Sequence, residues 1–192
     1  MSDYPQTLLT EPKLTYLLRE LESVVMLNGS VSEFGVYAGG SAHIMAIFLS
    51  INAPGKRLHL FDSFAGLSAK GPMDGEEYLN CQGWYQGDYD DVCKRFAKLP
   101  DVVIHAGMFA DLIAIDCDLC FAHLDCDLFE STCEAIRLVA PRLVPGGKIV
   151  LDDYNTTDWP GVRKAADRYL SIERFEKIQS STTDQAVFTR KK

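Results

Sequence analysis

Two adjacent carboxylates, Asp152 and Asp153, close the apolar run "IVL" within "IVLDDYN", residues 149–155. Two like charges ~4 Å apart repel by roughly 4 kcal/mol at an effective dielectric of about 20. A fold that keeps them must offset that repulsion with solvent, a helix N-terminus, a basic partner or a cation. Upstream, "HLDCDLFES" ends a second apolar run in Asp125, with Asp127 close behind. If the two runs are neighbouring strands, their ends bring three or four carboxylates together. Mg²⁺ takes oxygen ligands, usually a few carboxylates plus waters and substrate oxygens. Asp125, Asp152 and Asp153 are therefore read as ligands of one Mg²⁺ or similar hard cation. Asp127 is read as a cap for the helix near Glu130, and capping is the alternative for Asp153.

Other chemistry sits at the ends of other apolar runs. "EFGVYAGGSA" places Gly35, Gly39 and Gly40 where the backbone could approach a ligand and turn sharply into a helix. The spacing is not the G-x-G-x-x-G expected for a dinucleotide pyrophosphate. Glu33 would repel such a group but could face a ligand ammonium. Asp62 ends "LHLFD". An acid there commonly hydrogen-bonds ribose hydroxyls, with an N-cap for the segment starting at Ser63 as the alternative. Gly35 and Asp62 together predict an adenosine-type ligand. Met108 and Phe109, in "AGMFADL", could sandwich its adenine ring or could be core residues.

These ends need a scaffold. "TEPKLTYLLRELESVVMLNG" carries Leu14, Leu17, Leu18, Leu21 and Val25 at helical spacing, with Pro12 near the first turn and Gly29 as a stop. Strand-like segments follow at "SVSEFGV", "RLHLFD", "VVIHAG", "LCFAHLD" and "KIVLDDY". Helical segments lie between them, and "PGG" is read as the turn leading into "KIVLDDY". "GVRKAADRYL" is a further helix. "RFEKIQ" and "QAVFTR" flank a polar turn and predict a terminal antiparallel hairpin. The alternation predicts an α/β fold, a doubly wound and mostly parallel sheet, with ligands bound beyond the C-terminal strand ends. Residues 65–87 lack periodicity and are read as a mobile flap, with Trp84 and Tyr85 as cover for a ligand, or equally as a plain surface excursion. One domain over residues 1–192 is expected, with 1–29 a helical extension.

The net charge is −8. That disfavours a nucleic-acid backbone as partner. No apolar run reaches the ~20 residues of a membrane helix, and the start lacks a secretory pattern. A cytoplasmic protein is expected. Cys117 and Cys120 have C-x-x-C spacing, with His123 and Cys126 behind them. Alternation along a strand would send these to opposite faces, so reduced core thiols are expected rather than zinc.

The motifs "EFGVYAGGSA", "LFDSFAGL", "HLDCDLFEST", "LVPGGKIVLDDY" and "GVRKAADRYL" together resemble the macrocin O-methyltransferase family over residues 33–170. The resemblance implies a Rossmann-like class I methyltransferase that uses S-adenosylmethionine and Mg²⁺ to methylate sugar hydroxyls of antibiotics. It implies that Asp125, Asp152 and Asp153 hold the metal and that Asp125 is also the general base. It implies a cofactor site lined by Glu33, Gly35, Asp62 and Ser63, to which Tyr37, Gly39, Ser41, Met108 and Phe109 are added as candidates. The expected partner is a hydroxylated small molecule, with a homodimer as the assembly to test. The chain is shorter ahead of its first strand than such enzymes, which predicts a reduced substrate lid. A nicotinamide-dependent oxidoreductase and a non-catalytic nucleoside-binding module are the competing readings. The missing G-x-G-x-x-G counts against the first, and the intact carboxylates against the second.

Overall fold

The computed structural model describes residues 6–112 and 115–192. The first five residues of the stretch read as lacking a leader lie outside the described residues. The strands are β1 (Ser30–Phe34), β2 (Leu58–Asp62), β3 (Val102–Ala106), β4 (Leu119–Leu124), β5 (Leu143–Leu151), β6 (Phe175–Gln179) and β7 (Ala186–Arg190). The helices are α1 (Glu11–Glu22), α2 (Gly40–Asn52), α3 (Tyr89–Phe96), α4 (Phe129–Val139) and α5 (Pro160–Tyr169). The strands form one sheet in the order β3-β2-β1-β4-β5-β7-β6. β3, β2, β1, β4 and β5 pair in parallel, whereas β7 pairs antiparallel to both β5 and β6. The expected mostly parallel sheet and terminal antiparallel hairpin are both present.

Local chemistry explains the element ends. Pro12 stands in the first turn of α1, where its missing N–H costs nothing. Tyr16, Leu17 and Leu21 then repeat on one buried face. The helix stops at Glu22, and the apolar residues Val24 and Val25 are buried from the turns that follow. At α3, the Asp88 side chain accepts from Asp91 N at 3.0 Å, and Asp90 and Asp91 fill the first turn beside the positive end of the helix dipole.

One expectation fails. "PGG" is not a turn but lies inside β5. Gly146 takes a left-handed φ of 82°, and the pairing register with β4 shifts between Leu119 and Phe121. The irregularity absorbs the proline and glycines without ending the strand.

Each sheet face carries its own core. Phe34, Ala122, Leu124, Ile149, Leu151 and Phe188 pack with α4 and α5 on one face. Val31, Leu60, Phe121 and Val150 pack with α1 and α2 on the other. β1 and β4 are neighbours although the chain reaches them through connections running in opposite directions. The loops after β1 and β4 therefore diverge and leave a crevice at the C-terminal ends of the strands.

Candidate functional site

A cavity of about 280 Å³ opens at that crevice. Its walls come from the ends of β1, β2, β4 and β5, from the start of α2, and from the segment preceding α1. Four non-glycine residues just past these strand ends take left-handed backbone: Tyr37 (φ 50°), Phe64 (57°), Asp127 (57°) and Asp153 (52°). Such residues cost on the order of 1–3 kcal/mol each and gather at functional sites.

The half of the cavity beside β1 and β2 is tightly tied by hydrogen bonds. Gly35 (φ 87°) touches the backbone of Asp125, and a β-carbon there would collide with its carbonyl. Asp62 Oδ2 accepts from Val36 N at 2.6 Å and from Tyr37 N at 2.8 Å. Its Oδ1 accepts from Phe64 N at 2.7 Å. One carboxylate thus clamps the glycine-bearing turn after β1 to the turn after β2. Ser63 Oγ accepts from Ala65 N in that second turn. Gly35, Tyr37, Ser41, Asp62, Ser63, Met108 and Phe109 all line the cavity. Phe109 meets Phe34 edge-to-face at 5.2 Å.

Two expected cofactor residues do not line it. Alternation along β1 sends Glu33 to the α1/α2 face, where Oε1 lies 2.9 Å from His123 Nδ1, both side chains fully buried. Gly39 (φ 81°) is the N-cap of α2 and packs against the ring of Phe96.

The half beside β4 and β5 is crowded with charge. β4 and β5 are adjacent, as the carboxylate argument required. One oxygen each of Asp125, Asp127 and Asp153 lies within 4.8 Å of the others. Among the described residues this is the only group of three or more His, Cys, Asp or Glu with that geometry. Asp152 also lines the cavity, with Oδ2 held by Lys13 Nζ at 2.8 Å and Oδ1 buried without a partner. Burial, reinforced by the charges of Asp152, Asp127 and Asp153, pushes the Asp125 carboxyl well above its ordinary range. Burial and the charges of Asp153 and Asp152 do the same to Asp127. Asp153 is pushed up to about 6 by burial and by Asp152, with Lys13 opposing the shift.

Asp127 therefore corrects the sequence reading. It caps nothing: Leu128 is the N-cap position of α4, and the amide of Phe129 is taken by Asp74 Oδ1. Proximity to the helix suggested a cap, but left-handed backbone at Asp127 turns its carboxylate toward the acidic group. Sequence reasoning also missed Lys13 and Asp184, whose ion pair of 2.9 Å joins the same cluster. No local pattern could have found them, because Lys13 and Asp152 are 139 residues apart.

The flap is fastened at several points. Leu67 and Trp84 pair through backbone, Leu67 N donating to Trp84 O at 2.8 Å. Asp74, at 1% exposure, accepts from Gly71 N as well as from Phe129 N. Lys70 lies 4.9 Å from the centre of the Trp159 ring. Tyr85 lines the cavity, while Trp84 stands 42% exposed. All six cysteines are free, and Cys117 and Cys120 belong to no metal-ligand cluster among the described residues. No described helix is long and apolar enough to cross a membrane.

Comparison with known proteins shows the family and the fold. The model of the family described as macrocin-O-methyltransferase (TylF) matches residues 3–191. A Streptomyces olivaceus protein, 8-demethyl-8-(2,3-dimethoxy-alpha-L-rhamnosyl)-tetracenomycin-C 4'-O-methyltransferase, is 33% identical over 138 residues. The match covers 66% of this chain and 53% of that protein, so the chain spans about half the length of the curated relative it matches. The solved O-methyltransferase NovP shares the fold with a TM-score of 0.82 at 23% identity, covering 97% of this chain and 82% of that one. The calicheamicin methyltransferase CalS11 does so with a TM-score of 0.77 at 20% identity, covering 95% and 80%.

Proposed function

This chain belongs to the macrocin-O-methyltransferase family, and from that premise we propose that it moves a methyl group from S-adenosylmethionine to a sugar hydroxyl of a natural product. The observation that carries the reading is the meeting of two chemistries in one cavity. A nucleoside-shaped half built on Gly35, Asp62, Met108 and Phe109 faces an acidic half built on Asp125, Asp127, Asp152 and Asp153. The sugar acceptor is suggested by the activity named for the Streptomyces olivaceus relative.

Asp62 fixes the turn through which Tyr37 and Gly35 approach the cofactor, leaving one lone pair, on Oδ1, for a ribose hydroxyl. Met108 and Phe109 offer apolar surface to the adenine. S-adenosylmethionine held there would supply its methyl carbon to the acceptor oxygen, with the carbon–sulfur electron pair left on sulfur. The hydroxyl proton passes to Asp125. Asp125 lines the cavity, and a carboxylate within hydrogen-bond reach of the acceptor can take that proton. Placing the oxygen against the methyl carbon supplies further acceleration.

The acidic half fits a hard divalent cation. Its donors are all carboxylate oxygens, three of them converge, and an ammonium already stands among them as a substitute cation. Asp125 and Asp153, joined by Asp127 or Asp152, would hold it. When bound, such an ion lowers the pKa of a coordinated hydroxyl and neutralises the cluster.

The test is methyl transfer from labelled S-adenosylmethionine to rhamnosylated acceptors, with Mg²⁺ and with excess chelator. Labelled sugar ether that forms only with Mg²⁺ is the expected result. Full-rate transfer in chelator would overturn the metal part. Failure to bind S-adenosylmethionine would overturn the whole reading.

A further inference from the structure

Lys13 stands in the first turn of α1, far in sequence from every acid it touches. Its Nζ lies 2.8 Å from Asp152 Oδ2, 3.0 Å from Asp153 Oδ1 and 2.9 Å from Asp184 Oδ1. The contacts to Asp152 and Asp153 are charge-assisted hydrogen bonds, and that to Asp184 is an ion pair, so one ammonium meets three carboxylates. Among the described residues no other ion pair reaches Asp125, Asp127, Asp152, Asp153 or Asp184. One ammonium therefore serves five acids. Asp152 Oδ1 is left buried without any partner although the residue is only 4% exposed.

We propose that Lys13 is the internal occupant of the cation position and is displaced when a divalent cation binds. The inference rests on the metal reading above. Two cations cannot comfortably share the Asp152 and Asp153 oxygens. A divalent and a monovalent cation held a few ångströms apart repel twice as strongly as two unit charges. The divalent ion offers twice the charge to the same oxygens, and it can use the orphaned Asp152 oxygen as well.

Displacement has a mechanical consequence. The residues just before α1, Gln6, Thr7, Leu8 and Leu9, form part of the cavity wall. Thr7 and Gln6 lie so close to the start of α2 that a β-carbon at Gly40 would collide with them. Lys13 is thus a pin that holds this strap and the first turn of α1 over the cavity. Releasing the ammonium frees the strap at its α1 end, so that cation binding and access to the cofactor half are coupled through one side chain.

The experiment titrates MgCl₂ calorimetrically into the full chain, into Lys13→Met and into Lys13→Arg, without S-adenosylmethionine. Lys13→Met should bind Mg²⁺ roughly tenfold more tightly or better, the scale expected when a competing unit charge is removed from the site. Lys13→Arg keeps the charge and should bind no more tightly than the unaltered chain. In the unaltered chain, saturating Mg²⁺ should raise amide hydrogen exchange over residues 10–17. Equal or weaker affinity in Lys13→Met overturns the inference, and so does unchanged exchange in that segment when Mg²⁺ is bound. Absence of Mg²⁺ binding in all three proteins overturns the metal reading itself, and this inference with it.

Discussion

Asp62 and Asp153 are the same residue at the ends of two parallel strands of one sheet, yet their surroundings are opposite. Asp62 accepts from three backbone amides, two of them on the neighbouring turn. Asp153 faces other carboxylates and is pushed up to about 6. The chain itself satisfies the first carboxylate. It leaves the second in want of positive charge, offset only by Lys13. The half beside β1 and β2 is accordingly held by the chain's own hydrogen bonds, whereas the acidic half carries charge that the chain only partly offsets.

The largest effect that can sharpen this contrast is on the acidic side. Asp125→Asn removes the proposed base, and methyl transfer should fall by roughly 10²–10⁴-fold. S-adenosylmethionine affinity should stay within about threefold, because Asp62 and its turn are untouched. Single-turnover rates and calorimetry read the two quantities separately, and a parallel loss of both would merge the halves into one unit.

Next comes Asp62→Ala. Three amides lose their acceptor, two of those bonds being buried or nearly so, and stability should drop by roughly 2–4 kcal/mol in urea unfolding. Cofactor binding should weaken with it. An unaltered unfolding midpoint would show that the turn after β1 holds its shape without the clamp.

The pH dependence of the metal-free chain is a smaller effect. Asp153 has an ordinary value of 3.8 and a folded value near 6. Between these the folded chain binds more protons than the unfolded one, so stability falls as pH rises through that window and stays low above it. Asp125 and Asp127 shift in the same direction. Lys13 is raised too, but from a basic starting value, so its contribution is lost only at strongly alkaline pH. In chelator the protein should melt roughly 3–6 °C higher at about pH 5 than at about pH 7.5, equivalent to about 1–2 kcal/mol. Excess Mg²⁺ should narrow or reverse the gap. A higher melting point at pH 7.5 in chelator would contradict the crowding of charge.

The smallest expected effect concerns the flap. Asp74→Asn keeps the size but weakens the acceptor for Gly71 and Phe129, costing about 1 kcal/mol. Hydrogen exchange over residues 67–87 should rise while exchange at Asp62 and Val36 does not. Uniform exchange changes in both regions would deny that the flap is fastened separately.

The sheet was legible because each strand is a short apolar run closed by polar or glycine-rich residues, and each helix repeats its apolar face. Within the site, the positions of Asp125, Asp152 and Asp153 at the cavity were legible for the same reason, that strand ends can be read from sequence, but the converging oxygens are those of Asp125, Asp127 and Asp153. Asp62 was only half legible. A ribose contact and a local cap were both expected of it, and Phe64 N supplies the local bond, but the clamp on Val36 and Tyr37 spans two strand ends. Glu33 was misplaced because side-chain alternation relative to the cavity depends on which sheet face the crevice opens from. Asp127 was misassigned because its backbone turns left-handed, a choice that tertiary packing imposes. Lys13 and Asp184 belong to the first helix and the approach to the last strand, and only the docking of those elements brings them to the acids.

β7 follows β6 along the chain, yet it lies between β5 and β6 in the sheet. During synthesis β5 leaves the ribosome well before its second neighbour exists. For that interval Ile149, Val150 and Leu151 form a bare sheet edge of apolar residues, the kind that pairs with other chains. Polypeptides interrupted before Ala186 keep that edge permanently. Fragments ending there should accumulate in the insoluble fraction on expression, although they already contain every carboxylate of the acidic half.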